Sequence, residues 1–111
     1  MSTAEYVRSV RALNDQFRKT LKGGTLIFTS GVMARGASVH EEVLQRLGAF
    51  EAFDTANDPY GEHDFGCLEV QGQRLFWKID YYDLDLERLS INPANPSVTR
   101  RVLTVMLAEE Y

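Results

Sequence analysis

Apolar residues recur at helical spacing in two stretches of the chain and alternate with polar ones in two others. Val10, Leu13, Phe17 and Leu21 lie three or four positions apart, the stripe of an amphipathic helix. Ser2-Thr3-Ala4-Glu5 has the form of a capping box and Gly23-Gly24 of a stop, so the spacing predicts a helix over about 3–22. Arg8, Arg11, Arg18 and Lys22 fall on its polar face, as a solvated basic surface or as a contact for an anionic partner. Thr25-Leu26-Ile27-Phe28-Thr29 is short, β-branched and bounded by glycine, and reads as a strand that Ser30-Gly31 turns or bulges. Ser38-Val39-His40-Glu41 is a second capping box. Val43, Leu44, Leu47, Phe50 and Phe53 then continue a helix to about residue 53.

After a loop from Asp54 to Gly61 the period changes to two. Asp64–Val70 and Gln73–Tyr82 flank Gln71-Gly72, a two-residue hairpin turn. Leu75, Trp77, Ile79 and Tyr81 alternate with Phe76, Lys78, Asp80 and Tyr82, which puts the first set in the core. With that turn Leu68 faces Leu75, Gly66 faces Trp77, Glu69 faces Arg74, Phe65 faces Lys78 and His63 faces Asp80. The charge pairs are complementary, which supports the register, and a one-residue slip would put Asp80 in the core. Asn95-Pro96 has the form of an N-cap followed by proline, so Val98, Val102, Val105 and Met106 read as a last helix. Its charges conflict with that reading. Arg100 and Arg101 near the start and Glu109 and Glu110 at the end oppose the helix dipole. The predicted order is α-β-α-β-β-α. The expected fold is α+β, an antiparallel sheet of about three strands with helices packed on one face.

The chain has 111 residues, read as a single domain over 1–111 with room for a core that needs neither disulfide nor metal. Cys67 is the one cysteine, which fits a reducing compartment. No apolar run approaches the roughly 20 residues of a membrane helix, and no signal peptide is apparent. The expectation is a soluble cytoplasmic protein without membrane partners. The net charge of −4 is unevenly spread. Residues 1–53 carry +2, whereas residues 54–87 hold nine Asp and Glu against Arg74 and Lys78, a net of −7. That field repels phosphate backbones, so direct nucleic-acid binding is not expected, and it attracts basic surfaces.

Candidate chemistry gathers at the acidic hairpin end. His63 beside Asp80 has the form of a base with its orienting acid, or of a pair that pins the loop to the strand. Glu62, His63, Asp64, Asp80 and Asp83 offer oxygen and imidazole donors, but at no recognisable metal-site spacing, so no metal or cofactor is expected. Cys67 inside a strand reads as buried and inert. Ser30 and Ser90 have no companion histidine, and Gly23-Gly24 follows a helix instead of preceding one, so it is no phosphate loop. Packing accounts for Phe65, Trp77 and Tyr81. Tyr60 and Tyr82 are better candidates for exposed contacts, although Asp58-Pro59-Tyr60-Gly61 also suits a plain turn.

The runs Asn57-Asp58-Pro59-Tyr60-Gly61-Glu62-His63-Asp64-Phe65-Gly66 and Phe76-Trp77-Lys78-Ile79-Asp80-Tyr81-Tyr82-Asp83 resemble domain of unknown function 3768. So do the ending Thr99–Tyr111, the stretch Asn14-Asp15-Gln16-Phe17-Arg18-Lys19-Thr20 and Gly23-Gly24. This is a set of small bacterial proteins often carried on plasmids and other mobile elements. The resemblance covers nearly the whole chain and implies a mobile-element setting. It brings no established activity, so no catalytic role carries over. By analogy alone, small acidic mobile-element proteins often block host defence systems.

Two readings follow. In the first, the chain is a non-enzymatic interaction protein, an acidic mimic that docks on a basic partner surface of the kind that normally holds nucleic acid. Asp58, Glu62, Asp80, Asp83, Asp85 and Glu87 would supply charge there and Tyr60 and Tyr82 anchoring area. In the second it is a small hydrolase or transferase, with His63 as base, Asp80 as its orienter, Glu62 or Asp64 as an acid or metal ligand, and Arg100 or Arg101 holding an anionic group if the last helix starts nearby. A homodimer through an exposed sheet edge is compatible with either.

Overall fold

The computed structural model describes residues 1–111. The first helix, α1 (Thr3–Thr20), opens as the capping box predicts, with the Glu5 amide donating to Ser2 Oγ at 3.2 Å. It closes on Leu21 in the left-handed conformation, ahead of the glycine pair. Its buried stripe is Val10, Asn14, Phe17 and Arg18. Arg18 is therefore not on a solvated basic face: it lies on the inner side of the helix, where it meets the end of a second helix.

Strand β1 (Gly24–Phe28) follows, then the short helix α2 (Ser30–Met33) where a turn or bulge was expected, N-capped by Thr29. Helix α3 (Ala37–Ala49) starts from Gly36 with no side-chain cap. The expected capping box at Ser38 does not form, because the helix already starts at Ala37 and Ser38 lies inside its first turn, where its Oγ accepts from Gln71 Nε2 of the hairpin turn at 2.9 Å. Val39, Val43 and Leu47 face inward, and Phe50 and Phe53 pack beyond the helix end.

Strands β2 (Phe65–Val70) and β3 (Gln73–Tyr82) form the predicted hairpin in the predicted register, from Val70 opposite Gln73 to Phe65 opposite Lys78. The ladder stops there. The Ile79 amide donates to the Asp64 carbonyl, and His63 adopts φ of +57°, which turns the chain away before it reaches Asp80. Cys67 does lie in a strand, but between Gly66 and Leu68, so it faces outward and is exposed.

The predicted last helix is instead a strand, β4 (Arg100–Leu107), between β1 and β3. Asn95 still caps, but only the 3-10 turn Pro96–Val98. In β4, Arg101, Val102, Leu103, Val105, Met106 and Leu107 are all buried. A central strand covered on both faces has no alternation to betray it, and its apolar run mimics a buried helix. The dipole conflict disappears with the helix. Glu110 reaches back to accept from Thr29 Oγ1 at 2.7 Å, from the Leu107 amide at 2.7 Å and from the Gly31 amide at 3.2 Å. These donors hold its carboxyl below its ordinary pKa.

The fold is α+β, as expected, but its sheet has four strands in the order β1-β4-β3-β2 and is mixed, because β1 runs parallel to β4. Helices α1 and α3 cover one face, with Trp77 at the centre of the core, edge-on to Phe50 at 5.4 Å between ring centroids. Gly66 opposite Trp77 leaves the ring its room, since a Cβ there would fall on the indole and on Phe50. No helix is long and apolar enough to cross a membrane.

Candidate functional site

The segment 54–64 crosses from α3 to β2 along the middle of α1, at Arg11, Asn14 and Asp15. It builds its own turn. Asp54 Oδ1 accepts from the Ala56 and Asn57 amides, each at 2.9 Å, and Asn57 Nδ2 donates to the Ala52 carbonyl. Asp58 folds inward and accepts from the His63 amide at 3.1 Å. Arg11 Nε donates to the Gly61 carbonyl at 2.6 Å.

Two polar clusters then fasten the segment to neighbouring positions of α1. In the first, His63 Nδ1 donates to Asp15 Oδ1 at 2.8 Å, and the same oxygen accepts from Arg18 Nη2 at 3.1 Å. His63 Nε2 faces Asp58 Oδ2 at 3.6 Å, and the ring stacks on Phe53 with centroids 3.8 Å apart. Arg18 Nη1 donates to the Leu47 and Phe50 carbonyls, at 2.8 and 2.9 Å, closing the end of α3. Its guanidinium carbon lies 5.5 Å from the Phe53 centroid and 5.8 Å from Trp77. An open cleft of about 340 Å³ adjoins this cluster, lined by Asp15, Arg18, Lys19, Glu51, Phe53 and His63.

The second cluster is centred on buried Asn14. Its Nδ2 donates to the Glu62 carbonyl at 3.0 Å and to Tyr81 Oη at 2.8 Å, and its Oδ1 accepts from Arg101 Nε at 2.8 Å. Tyr81 in turn donates to Glu62 Oε1 at 2.8 Å. Burial, with Glu62 nearby, pushes the Tyr81 and Tyr6 phenols above their ordinary pKa. Burial first, then Glu62, Asp58 and Asp80, push the Asp64 pKa up to about 6, outweighing the hydrogen bond that its carboxyl accepts from its own backbone amide.

His63 and Asp80 are thus not a pair. His63 belongs to Asp15 and Asp58, while Asp80 Oδ2 accepts from Lys78 Nζ at 3.0 Å on the outer sheet face. Asp58, expected as a docking charge, is buried under His63, and Glu62 is half-buried against Tyr81. Tyr82 is half-buried at the strand end. Tyr60 is exposed, as are Asp85 and Glu87. Asp83 Oδ1 accepts from the Glu87 amide, which holds the pKa of its carboxyl down and shapes the turn after β3. No cluster of three or more His, Cys, Asp or Glu side chains is arranged to hold a metal ion.

Sequence reasoning missed two features. Asn14, Asp15 and Arg18 act from α1, and their signal was the place of Asn14 and Arg18 on its apolar stripe. The other is the run Leu84, Leu86, Leu89 and Ile91, exposed to 49, 52, 75 and 90%. Its signal was the alternation of aliphatic and acidic residues from Asp83 to Glu87, outside any strand.

A small α+β protein with a stitched acidic loop and an exposed acidic-aliphatic turn is what the fold and its site define. The chain belongs to the family described as protein of unknown function DUF3768, which matches residues 28–110. Helix α1, the source of Asn14, Asp15 and Arg18, precedes the matched range. Neither a curated protein nor a solved structure matches the chain.

Proposed function

We propose that the protein is a cytoplasmic, non-enzymatic interaction module whose turn after β3 docks on a partner protein that presents an apolar groove rimmed by basic side chains. The observation that carries this reading is the set of four exposed aliphatic side chains, Leu84, Leu86, Leu89 and Ile91, interleaved with Asp83, Asp85 and Glu87. Exposed aliphatics in such density mark contact sites on soluble proteins, and the acidic residues among them select a basic rim. Tyr60, 79% exposed on the neighbouring loop, adds anchoring area.

The turn is held in shape before any partner arrives. Asp83 and Leu86 amides donate to the Arg88 and Asp83 carbonyls, the Ser90 amide to the Tyr81 carbonyl, and Arg100 Nε to the Leu84 carbonyl. Pre-shaping lowers the ordering cost of binding. A basic groove of the kind that binds nucleic acid is the surface such an acidic element would occupy, which makes inhibition by mimicry the role we assign.

The test compares capture of a stoichiometric partner by the wild-type protein, by Leu89→Ser/Ile91→Ser and by Asp83→Lys/Asp85→Lys, each shown to be folded. Loss in both variants, with displacement of the wild-type complex by DNA, supports the reading. Capture that survives both variants overturns it.

A second reading rests on the cleft beside His63. There the imidazole would move a proton with Asp15, not Asp80, as its orienter. Both ring nitrogens already face carboxylates, which favours a fastening role, so this reading ranks second.

A further inference from the structure

The sheet order β1-β4-β3-β2 leaves β2 at an edge. The hairpin register decides which of its backbone groups are free. Gln71 and Gly72 turn at φ of +51° and +78°. These are the positive angles of a two-residue turn whose closing residues, Val70 and Gln73, exchange hydrogen bonds. Such pairs alternate along an antiparallel ladder, so Leu68 and Gly66 also bond to β3, and the Ile79 amide on the Asp64 carbonyl continues the series. Phe65, Cys67 and Glu69 therefore aim their amides and carbonyls away from β3. Outside the ladder no backbone hydrogen bond reaches them.

Unpaired edges of this kind are normally blunted by lysine, proline or a bulge, or are covered. The register of β2 runs unbroken from Phe65 to Val70, and the strand contains neither lysine nor proline. Its one charge, Glu69, faces Arg74 within the sheet, and Cys67 near its centre is exposed. Beside the edge, between β2 and the end of α3, lies a groove of about 340 Å³ whose walls include Ala49, Phe50, Ala52, Cys67 and Leu68.

Charge selects the occupant. Helix α3 runs antiparallel to β2: Ser38 and Glu42 meet Gln71 of the hairpin turn, and Phe50 beyond the helix end sits over Gly66. Arg46 therefore lies on the Val70 side of Cys67 and Glu51 on the Phe65 side. Both line the groove and both are exposed. A two-fold axis through Cys67 brings Arg46 of each copy to the partner's Glu51. About the same axis Phe65 meets the partner's Glu69, and Leu68 meets the partner's Gly66, a side chain against bare backbone. No like charges face one another along the edge.

We propose that a second copy of this chain pairs antiparallel along the free edge of β2, about a two-fold axis through Cys67, and joins the two sheets into one. Main-chain hydrogen bonds from Phe65, Cys67 and Glu69 supply the pairing, and the Arg46–Glu51 contacts set its register. The turn after β3 is held from the β4 side, by Arg100 on the Leu84 carbonyl, so the proposal does not depend on the docking reading.

Sedimentation equilibrium of the full, reduced chain tests it. The wild-type chain is expected to pass from monomer to dimer as its concentration rises. In that dimer the two Cys67 Cβ atoms lie about 5 Å apart, so a short bismaleimide should join the chains. Cys67→Lys sets like charges across the axis and should weaken association by about tenfold or more. Arg46→Glu should weaken it too, and Arg46→Glu/Glu51→Arg, which exchanges the charges, should restore it. Thermal unfolding checks that each variant is folded. A wild-type chain still monomeric at about 1 mM, a dimer that bismaleimide does not join, or one that survives Cys67→Lys overturns the proposal. So does an exchange of charges that fails to restore association.

Discussion

The loop 54–64 and the loop 83–95 leave the same end of the β2–β3 hairpin and are both acid-rich, yet they meet the rest of the molecule in opposite ways. In 54–64 Asp58 turns inward, and Glu62 and Asp64 are half-buried. Asp54 and Asp58 accept from backbone amides, Asp58 is buried, and His63 ties the segment to Asp15 on α1. In 83–95 the hydrogen bonds shape the turn itself and leave Leu84, Leu86, Leu89 and Ile91 in solvent. The two loops show that carboxylate density does not define a contact surface. What separates the two loops is how closely other elements fasten each one down. Where α1 supplies Arg11 and Asn14 to loop carbonyls and Asp15 to His63, the acidic loop becomes structure; the turn after β3, held by Arg100 on the Leu84 carbonyl, keeps its aliphatic side chains exposed.

The comparison can be broken most severely at Arg18. Arg18→Ala should lower stability by about 3–5 kcal/mol in denaturant unfolding, because it orphans the Leu47 and Phe50 carbonyls and leaves Asp15 with His63 alone. It should also release loop 54–64 while leaving loop 83–95 as it is, which hydrogen exchange would read. An unchanged midpoint would show that the stitched loop does not depend on that guanidinium.

His63→Ala should cost about 1–3 kcal/mol, through the lost Asp15 contact and Phe53 stack. Faster amide exchange confined to 54–64 is expected. Asp80→Ala should cost far less, since Asp80 meets only Lys78 in a partly exposed pair. Equal effects of the two substitutions would restore the pairing expected from the hairpin register.

Asp64 sharpens the contrast through pH. Its folded pKa of about 6 lies above the ordinary 3.8, so the folded state holds this proton more tightly than the unfolded chain does. Its contribution is fully present below about pH 4 and is lost as pH rises through about 6. Asp64→Asn should remove that dependence and raise stability near neutral pH by about 1 kcal/mol, after discounting for the partial exposure of the carboxyl. Thermal unfolding of both proteins between pH 4 and 7 checks this, and parallel curves would refute it.

The smallest effects belong to loop 83–95. Leu89→Ser/Ile91→Ser should change stability by no more than about 0.5 kcal/mol while abolishing partner capture. Leu86 holds φ of +60°, an uncommon conformation for a leucine. Leu86→Gly should relieve that strain, with a gain of at most about 1 kcal/mol in thermal unfolding. A loss of stability there would mean that the side chain, not the backbone, sets the turn.

Much of this protein was legible from local rules. Helix α1, strand β1, helix α3 and the β2–β3 hairpin with its register follow from periodicity, one capping box and the Gln71-Gly72 turn, all carried by neighbouring residues. The candidate site was legible in place and not in detail. The loop with Asp58, Glu62 and His63 was singled out, but Asp15 was not, and His63 was assigned to Asp80 by extending an antiparallel ladder one step too far. The true partner, Asp15, lies 48 positions away on a helix the ladder does not involve. Asn14 and Arg18 looked like ordinary polar residues because their partners are carbonyls and side chains from other elements.

By itself, the sequence determined the class of the fold, the hairpin register and the sign of the charge at the hairpin end, because each rests on short-range spacing. Only the tertiary structure decided that residues 100–107 are a strand. Their burial on both faces depends on β1, β3 and the packing around them, and a strand buried on both faces writes no alternation into its own sequence. Tertiary structure also decided which acids are buried and which are exposed, since that depends on how α1 and β3 hold the loops through Arg11, Asn14, Asp15 and Tyr81. Arg101 shows both at once. Its charge is plain in the sequence, but only the packing of Asn14, Tyr81 and Pro93 around it makes that charge buried, with Glu62 of the distant loop acting on it.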